Sequence, residues 1–254
     1  VQIYYSKELL EFTTDENNNF KSAILKTGEE LEADFCVLCT GASPNVEIPK
    51  KAGIKLGVTG AIMVDNRMRT NIKNVFACGD CTEEYDLITH QPVYIGLGTI
   101  ANKEGRVAAI NASNDKNYET FDGILSSIVT RFFDFTISKT GLSEQRAFEY
   151  AKNVNLVPIS ATVTKKDKAG YMPHANELTV KLVADKRNGE LLGAQAVGES
   201  GNIVQRINTI AAGLRERMTV EKLLHLDLPY APPYSSSIDP ILTAAYKLKE
   251  KIKQ

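Results

Sequence analysis

Three sets of residues in this chain have types and spacings that can do chemistry. The first is Cys78-Gly79-Asp80-Cys81. Gly79 carries no side chain, so a backbone can pass close to a ligand there. Asp80 is an acceptor-only group at neutral pH and suits the hydroxyls of a sugar or polyol better than a phosphate. The second set is the tyrosines of Gly170-Tyr171-Met172-Pro173 and Pro229-Tyr230-Ala231-Pro232-Pro233. Phenols are hydrogen-bond donors and weak acids at neutral pH. The third is the four cysteines, spaced as Cys36-x-x-Cys39 and Cys78-x-x-Cys81, a spacing that in the abstract can hold zinc. Cys36 and Cys39 fall inside a predicted strand, where residues three apart point to opposite faces and cannot easily converge on one ion. The cysteines are therefore read as small buried apolar residues, and no metal site is expected. His90, His174 and His225 are scattered and read as surface or packing residues.

These groups need elements to hold them. Val75–Cys78 reads as a short strand that ends in Gly79-Asp80, and a helix is expected around Thr99–Asn111, after Gly96-Leu97-Gly98. Upstream, Ile3–Thr13 and Phe20–Lys26 read as strands around the polar turn Asp15–Asn19. Asp34–Thr40 is nearly all apolar and closes in Thr40-Gly41-Ala42-Ser43-Pro44, as a buried strand with a loop at its C-terminal end does. Ligands of open α/β sheets bind beyond such ends, which makes Gly41 a candidate contact. A further short strand is expected at Ala61–Asp65.

The grammar changes after the polar stretch Asn111–Tyr118, and a domain boundary is placed near Phe121. Ser143 can cap a helix over Glu144–Lys152. Asn155–Lys165 reads as a strand. Glu177–Asp185 alternates Leu178, Val180 and Leu182 with Thr179 and Lys181, and Asn188-Gly189 turns it into Glu190–Val197. Ile203, Ile207, Ile210, Leu214 and Met218 repeat at helical spacing. Thr219 can cap a short helix over Val220–Leu226. A Pro-rich segment, Leu228–Pro240, leads into a helix whose Lys247, Lys249, Lys251 and Lys253 are expected on a solvated face. Strands with two or three helices on one face make an α+β domain.

The bulk properties narrow the function. The chain has 254 residues, 43% hydrophobic and 24% charged, ordinary values for a globular protein. A net charge of -1 gives no reason to expect nucleic acid or an anionic membrane. No apolar run is long enough to span a bilayer. The start, Val1-Gln2-Ile3-Tyr4-Tyr5, has no basic region followed by an apolar stretch, so no signal peptide is visible, and it lacks an initiator Met, as a truncated or processed start does. A reducing cytoplasm is the default compartment for such cysteine usage.

With these residues in place, the chain resembles the pyridine nucleotide-disulfide oxidoreductase family. Asn71–Asp80 followed by Gly96–Arg106 looks like the family's second flavin-binding motif, in which the Gly-Asp pair meets the ribityl chain of FAD. The tail Asp227-Leu-Pro-Tyr-Ala-Pro-Pro-Tyr-Ser-Ser-Ser-Ile-Asp-Pro240 is similar to the coenzyme A-disulfide reductase, NADH oxidase and persulfide reductase branch. The resemblance implies an α/β remnant of FAD- and NAD(P)-binding domains followed by an α+β dimerisation domain. It places the end of an NAD(P)H-binding domain at 1–45, part of an FAD-binding domain at 46–120 and the dimerisation domain at 121–254. It implies FAD and NAD(P)H as cofactors, a homodimer and a small sulfur-containing substrate.

By the same resemblance, Gly41 contacts NAD(P)H, while Gly79 and Asp80 contact FAD. Tyr171 and Tyr230 are catalytic, Tyr230 also reaching the partner's flavin region, and phenols can donate hydrogen bonds to a sulfur anion. Asn102 contacts the coenzyme A substrate, and Tyr234 is read as interface packing. The branch has a Lys before its final Asp-Pro; Ile238 stands there in this chain, which leaves the acceptor open among a coenzyme A disulfide, a persulfide or related sulfur, and oxygen. No Gly-x-Gly-x-x-Gly occurs, and the redox cysteine and both dinucleotide glycine loops, which the resemblance places in the N-terminal part of the family's chains, are expected to be missing. The alternative is a non-catalytic dimerisation module or truncated remnant that needs a partner chain.

Overall fold

The computed structural model describes residues 2–113, 118–199 and 202–254. They fall into two compact units that divide between Ser43 and Pro44. The first is an antiparallel three-stranded sheet in the order β1 (Leu9–Thr14), β2 (Phe20–Leu25), β3 (Glu30–Glu32). The β1–β2 turn is built on Asp15, whose carboxylate accepts from the Asn17 and Asn19 amides at 2.9 and 2.8 Å, while Asn18 takes a positive φ of 64°.

The predicted strand Asp34–Thr40 is a correction. None of its residues belongs to a strand, and Phe35, Val37 and Leu38 are exposed. An apolar run becomes a strand only where neighbours take up its N–H and C=O groups, and no described residue pairs with it. Cys36 and Cys39 are accordingly exposed, not buried as the sequence implied.

The second unit opens with α1 (Glu47–Lys51), the two-residue hairpin β4 (Glu84–Tyr85) and β5 (Pro92–Val93), and the long helix α2 (Gly98–Ser113). The expected strands Ala61–Asp65 and Val75–Cys78 shrink to single bridges, Ile62 with Leu56 and Thr82, and Phe76 with Arg69. Their apolar side chains still pack inward: Val64, Met68, Phe76 and Cys78 join Val107 and Ala108 of α2 in one cluster.

The rest is organised by a five-stranded antiparallel sheet in the order β6, β7, β10, β9, β8. Its elements in chain order are β6 (Ile128–Phe132), β7 (Phe135–Gly141), α3 (Glu144–Ala151), β8 (Pro158–Lys166), β9 (Glu177–Asp185), β10 (Leu191–Gly198), α4 (Ile203–Arg215), α5 (Val220–Leu224) and α6 (Pro240–Lys253). Sequence rules account for most of the boundaries. Ser143 Oγ accepts from the Arg146 amide at 3.3 Å and starts α3; Thr219 Oγ1 accepts from the Lys222 amide at 3.2 Å and starts α5. Gly189, at φ 72°, closes the β9–β10 hairpin.

Leu178, Val180 and Leu182 face the main core with Ile203, Ile207, Ile210 and Leu214 of α4 and Ile241, Ala244, Ala245 and Leu248 of α6. Val183, one residue out of phase, packs on the other face with Leu142, Leu192 and Ala147 of α3. Helices therefore cover both faces, where the sequence predicted one. Gly193 is required at the β7–β10 contact, because a Cβ there would run into the backbone of Leu142. The terminal lysines lie on a solvated face, with Lys247, Lys251 and Lys253 exposed and Lys249 half-buried. Lys247 and Lys251 donate to the backbone oxygens of Thr162 and Ser160 on the edge strand β8, and Lys249 pairs with Glu221.

Candidate functional site

The Gly79–Asp80 turn is built from both sides. The Ala77 amide donates to Met68 O at 3.1 Å, and the Ile62 amide to Cys81 O at 2.8 Å, so the turn is strung between two flanking segments. Gly79 has φ 85°, a left-handed conformation that L side chains resist, and a Cβ placed there would sit 3.6 Å from Ala101 Cβ of α2. Asp80 is exposed, and among the described residues no donor reaches its carboxylate. A Cβ at Gly96 would stand 3.4 Å from Asp80 Cγ, so the Gly96–Gly98 segment passes close by the carboxylate. The Tyr94 hydroxyl donates to Asp80 O at 3.0 Å. Burial, with Asp80 next, pushes the Tyr94 phenol up from its ordinary range.

Two buried carboxyls that the sequence reading did not single out stand behind the turn. Glu104 of α2, 1% exposed, accepts from the Gly79 amide at 2.7 Å and from Thr82 Oγ1 at 2.8 Å. Burial raises its pKa, these two hydrogen bonds oppose the rise, and the Asp80 charge adds to it. Glu84, 4% exposed, accepts from the Ile95 amide at 3.1 Å. Burial, helped by the charges of Glu104 and Asp80, pushes Glu84 up to about 7. Cys78 and Cys81 flank the turn, half-buried; burial raises both thiols, which keeps them protonated at neutral pH. The only available signal for Glu104 was its place six residues into the predicted helix; for Glu84 there was none.

The tyrosines form a second locus. Tyr171 lies in the connection between β8 and β9, and Tyr230 in the irregular segment before α6. The Ala169 amide donates to Pro232 O at 3.2 Å and brings these two segments together. Both phenols are exposed, at 77% and 51%, as are Tyr234 and Ile238. The segments are anchored by Arg206 of α4. Its Nε donates to Asp239 at 2.9 Å and its Nη2 to Asp167 O at 2.8 Å, while Ser235 Oγ donates to Asp239 at 2.8 Å. This Arg206–Asp239 pair is buried; periodicity had registered only the apolar neighbours of Arg206.

Asn102 is exposed in the second turn of α2, two residues before Glu104. No hydrogen bond or ion pair among the described residues joins the tyrosine segments to the Gly79–Asp80 turn. Gly41 belongs to the first unit, where it takes φ 99° with open space around it. All three histidines are exposed, His225 lying 3.3 Å from Glu221. Among the described residues no cluster of metal-ligating side chains occurs, and no helix is long and apolar enough to cross a membrane.

Comparison with known proteins adds a second line of evidence. Residues 1–129 match the family profile described as pyridine nucleotide-disulphide oxidoreductase, and residues 128–240 match the dimerisation domain of the same family. The chain is 38% identical over 226 residues to a CoA-dependent NAD(P)H sulfur oxidoreductase of Pyrococcus furiosus, covering 89% of this chain and 49% of that protein. It is 37% identical over 220 residues to an NAD(P)H coenzyme A polysulfide/persulfide reductase of Pyrococcus horikoshii, covering 87% and 48%. Among solved structures, an NAD-dependent persulfide reductase from A. fulgidus superposes with a TM-score of 0.90 at 35% identity, over 98% of this chain and 44% of that one. The chain thus spans about half the length of the curated relatives it matches.

Proposed function

The chain belongs to the pyridine nucleotide-disulphide oxidoreductase family, and from that premise we propose that it supplies the ribityl-binding turn and the dimerisation domain of an FAD- and NAD(P)H-dependent reductase of sulfur-linked acceptors. In this reading residues 1–45 end the NAD(P)H-binding domain, 46–120 belong to the FAD-binding domain and 121–254 dimerise. The observation that carries it is the Gly79–Asp80 turn. An exposed carboxylate that no donor among the described residues reaches, beside a glycine fixed at φ 85° and the start of α2, fits a polyol chain better than it fits a structural turn.

When bound, FAD supplies the two-electron relay between nicotinamide and acceptor. Asp80 accepts from the ribityl hydroxyls, and Gly79 keeps the backbone clear of them. Gly41 lines the nicotinamide-nucleotide side. Tyr171 and Tyr230 present phenol donors to the sulfur leaving as an anion, and Asn102 contacts the carrier of that sulfur. Two copies of the chain assemble through the second unit, and Tyr230 serves the partner's flavin region.

A sulfur-linked acceptor is favoured over oxygen by the two exposed phenols held on one anchored locus. The names of the two Pyrococcus relatives support the same choice. The test uses the protein that carries this chain, purified natively, its visible spectrum recorded, and its NAD(P)H consumption measured with coenzyme A disulfide, coenzyme A persulfide, sulfur and oxygen in turn. Flavin bands with faster turnover on a sulfur acceptor than on oxygen are expected. A protein without flavin, or one that reduces oxygen alone, refutes the assignment.

A further inference from the structure

We propose that Glu104 is a positioning residue for the flavin: it fixes the backbone of Gly79 and thereby the place where Asp80 meets the ribityl chain. The inference rests on the flavin reading of the turn given above.

A glycine at φ 85° has wide conformational freedom, which on its own would leave the following aspartate loosely placed. The structure removes that freedom at both peptide groups flanking the Gly79 Cα. On one side the Gly79 amide donates to Glu104 Oε2 at 2.7 Å. On the other, Gly79 O lies 2.6 Å from Thr82 Oγ1 and 3.0 Å from the Thr82 amide. Thr82 Oγ1 is in turn 2.8 Å from the same Glu104 oxygen. The contacts close a ring from the N–H of Gly79, through Glu104 and Thr82, back to its own C=O. Both dihedrals of Gly79 are set by that ring.

Glu104 comes from the interior of a sixteen-residue helix and is almost wholly buried, so its carboxyl is a rigid fixture rather than a mobile surface group. The Gly79 amide is spent on Glu104 and is not offered to a ligand. Recognition of the polyol therefore passes to the Asp80 carboxylate. The single proton of the Thr82 hydroxyl can serve only one of its two acceptors fully at a time. The amide contact to Glu104 is consequently the leg that cannot be replaced from elsewhere in the ring.

The test compares three variants of the protein that carries this chain: Glu104→Ala, Glu104→Gln and Thr82→Val. FAD dissociation constants are read by flavin fluorescence on the deflavinated protein, and exchange of the Gly79 amide is followed without cofactor. Loss of a hydrogen bond to a buried carboxyl predicts FAD binding weakened by about tenfold or more in Glu104→Ala. Glu104→Gln keeps an acceptor oxygen and is expected to restore affinity to within about threefold of the parent. Thr82→Val removes the hydroxyl leg at nearly constant shape and is expected to weaken FAD by about threefold to tenfold. Gly79 amide exchange should accelerate in Glu104→Ala and not in Glu104→Gln. If Glu104→Ala does not fold, Thr82→Val and Glu104→Gln carry the decision, and parent-like FAD affinity in Thr82→Val overturns the ring. A parent that takes up no FAD overturns the flavin reading itself. A parent that binds FAD as tightly as Glu104→Ala does overturns the role of Glu104 alone.

Discussion

Replacing Glu84 by Gln isolates the electrostatic cost built into the candidate flavin turn. Glu84 is buried, accepts one hydrogen bond from the Ile95 amide, and shares its surroundings with the charges of Glu104 and Asp80. Those surroundings disfavour the ionised carboxyl and lift it from 4.5 to about 7. The folded protein therefore binds this proton more tightly than the unfolded chain does. Stability falls as pH rises through the window from about 4.5 to about 7, and the loss is complete above it. In full, that displacement converts to about 3 kcal/mol, and screening by water reduces it to about 2 kcal/mol. Gln keeps an acceptor for the Ile95 amide and cannot ionise. Glu84→Gln is thus expected to match the parent within about 0.5 kcal/mol at pH 5 and to exceed it by about 2 kcal/mol at pH 8. Denaturant unfolding of both proteins at the two pH values measures the double difference, in which the other titrating groups cancel. As a thermal shift at pH 8, the gain is about 4–8 °C for a chain of this size. An equal gap at both pH values, or a less stable variant at pH 8, refutes the reasoning.

Other outcomes follow from the packing and the tyrosine locus. Arg206→Met strands the buried Asp239 carboxylate and should cost about 3–5 kcal/mol in denaturant unfolding, far beyond the effect of losing an exposed pair such as Arg215–Asp122. Gly193→Ala forces a Cβ into the Leu142 backbone and should lower the melting temperature by roughly 6 °C or more. In stopped-flow half-reactions of the intact enzyme, Tyr171→Phe and Tyr230→Phe together should slow reoxidation by a sulfur acceptor by about 10²-fold. Flavin reduction by NAD(P)H should be unchanged, and equal slowing of both half-reactions would remove the tyrosines from the sulfur step.

Local signals in the sequence were reliable where the physics is local. Ser143 and Thr219 cap the helices they were expected to cap, because a cap is decided within four residues. The alternation through Leu178, Val180 and Leu182 marks β9 with its observed bounds, since an antiparallel strand with one face on α4 and α6 writes its burial at a period of two. The β6–β7 hairpin escaped notice because its turn, Phe133-Asp134, uses a phenylalanine at φ 52° where the rule looks for Asn or Gly. Asp34–Thr40 failed for a different reason: hydrophobicity states what a segment would bury, while a strand also needs partners for its backbone. In the candidate site, a Gly-Asp turn alone is common, and Gly79 and Asp80 stood out only through the Asn74-Val75-Phe76-Ala77 lead, the helix that follows and the resemblance of the tail. Glu104, Glu84, Arg206 and Asp239 were not, because a charged residue looks solvated until the fold closes over it.

The Asp239 carboxylate serves three masters at once. It caps α6 through the Ile241 amide at 3.0 Å, pairs with Arg206, and accepts from Ser235 within the Pro-rich segment. A stretch that lacks regular secondary structure would ordinarily be the first part of a domain nicked by a protease. Here, lifting the segment away means uncapping a fourteen-residue helix and abandoning a buried guanidinium in the same event. The tail that carries Tyr230 thus has no cheap way to fray. Cleavage next to Asp239 is therefore expected to wait on the opening of the α4–α6 packing rather than on local fraying.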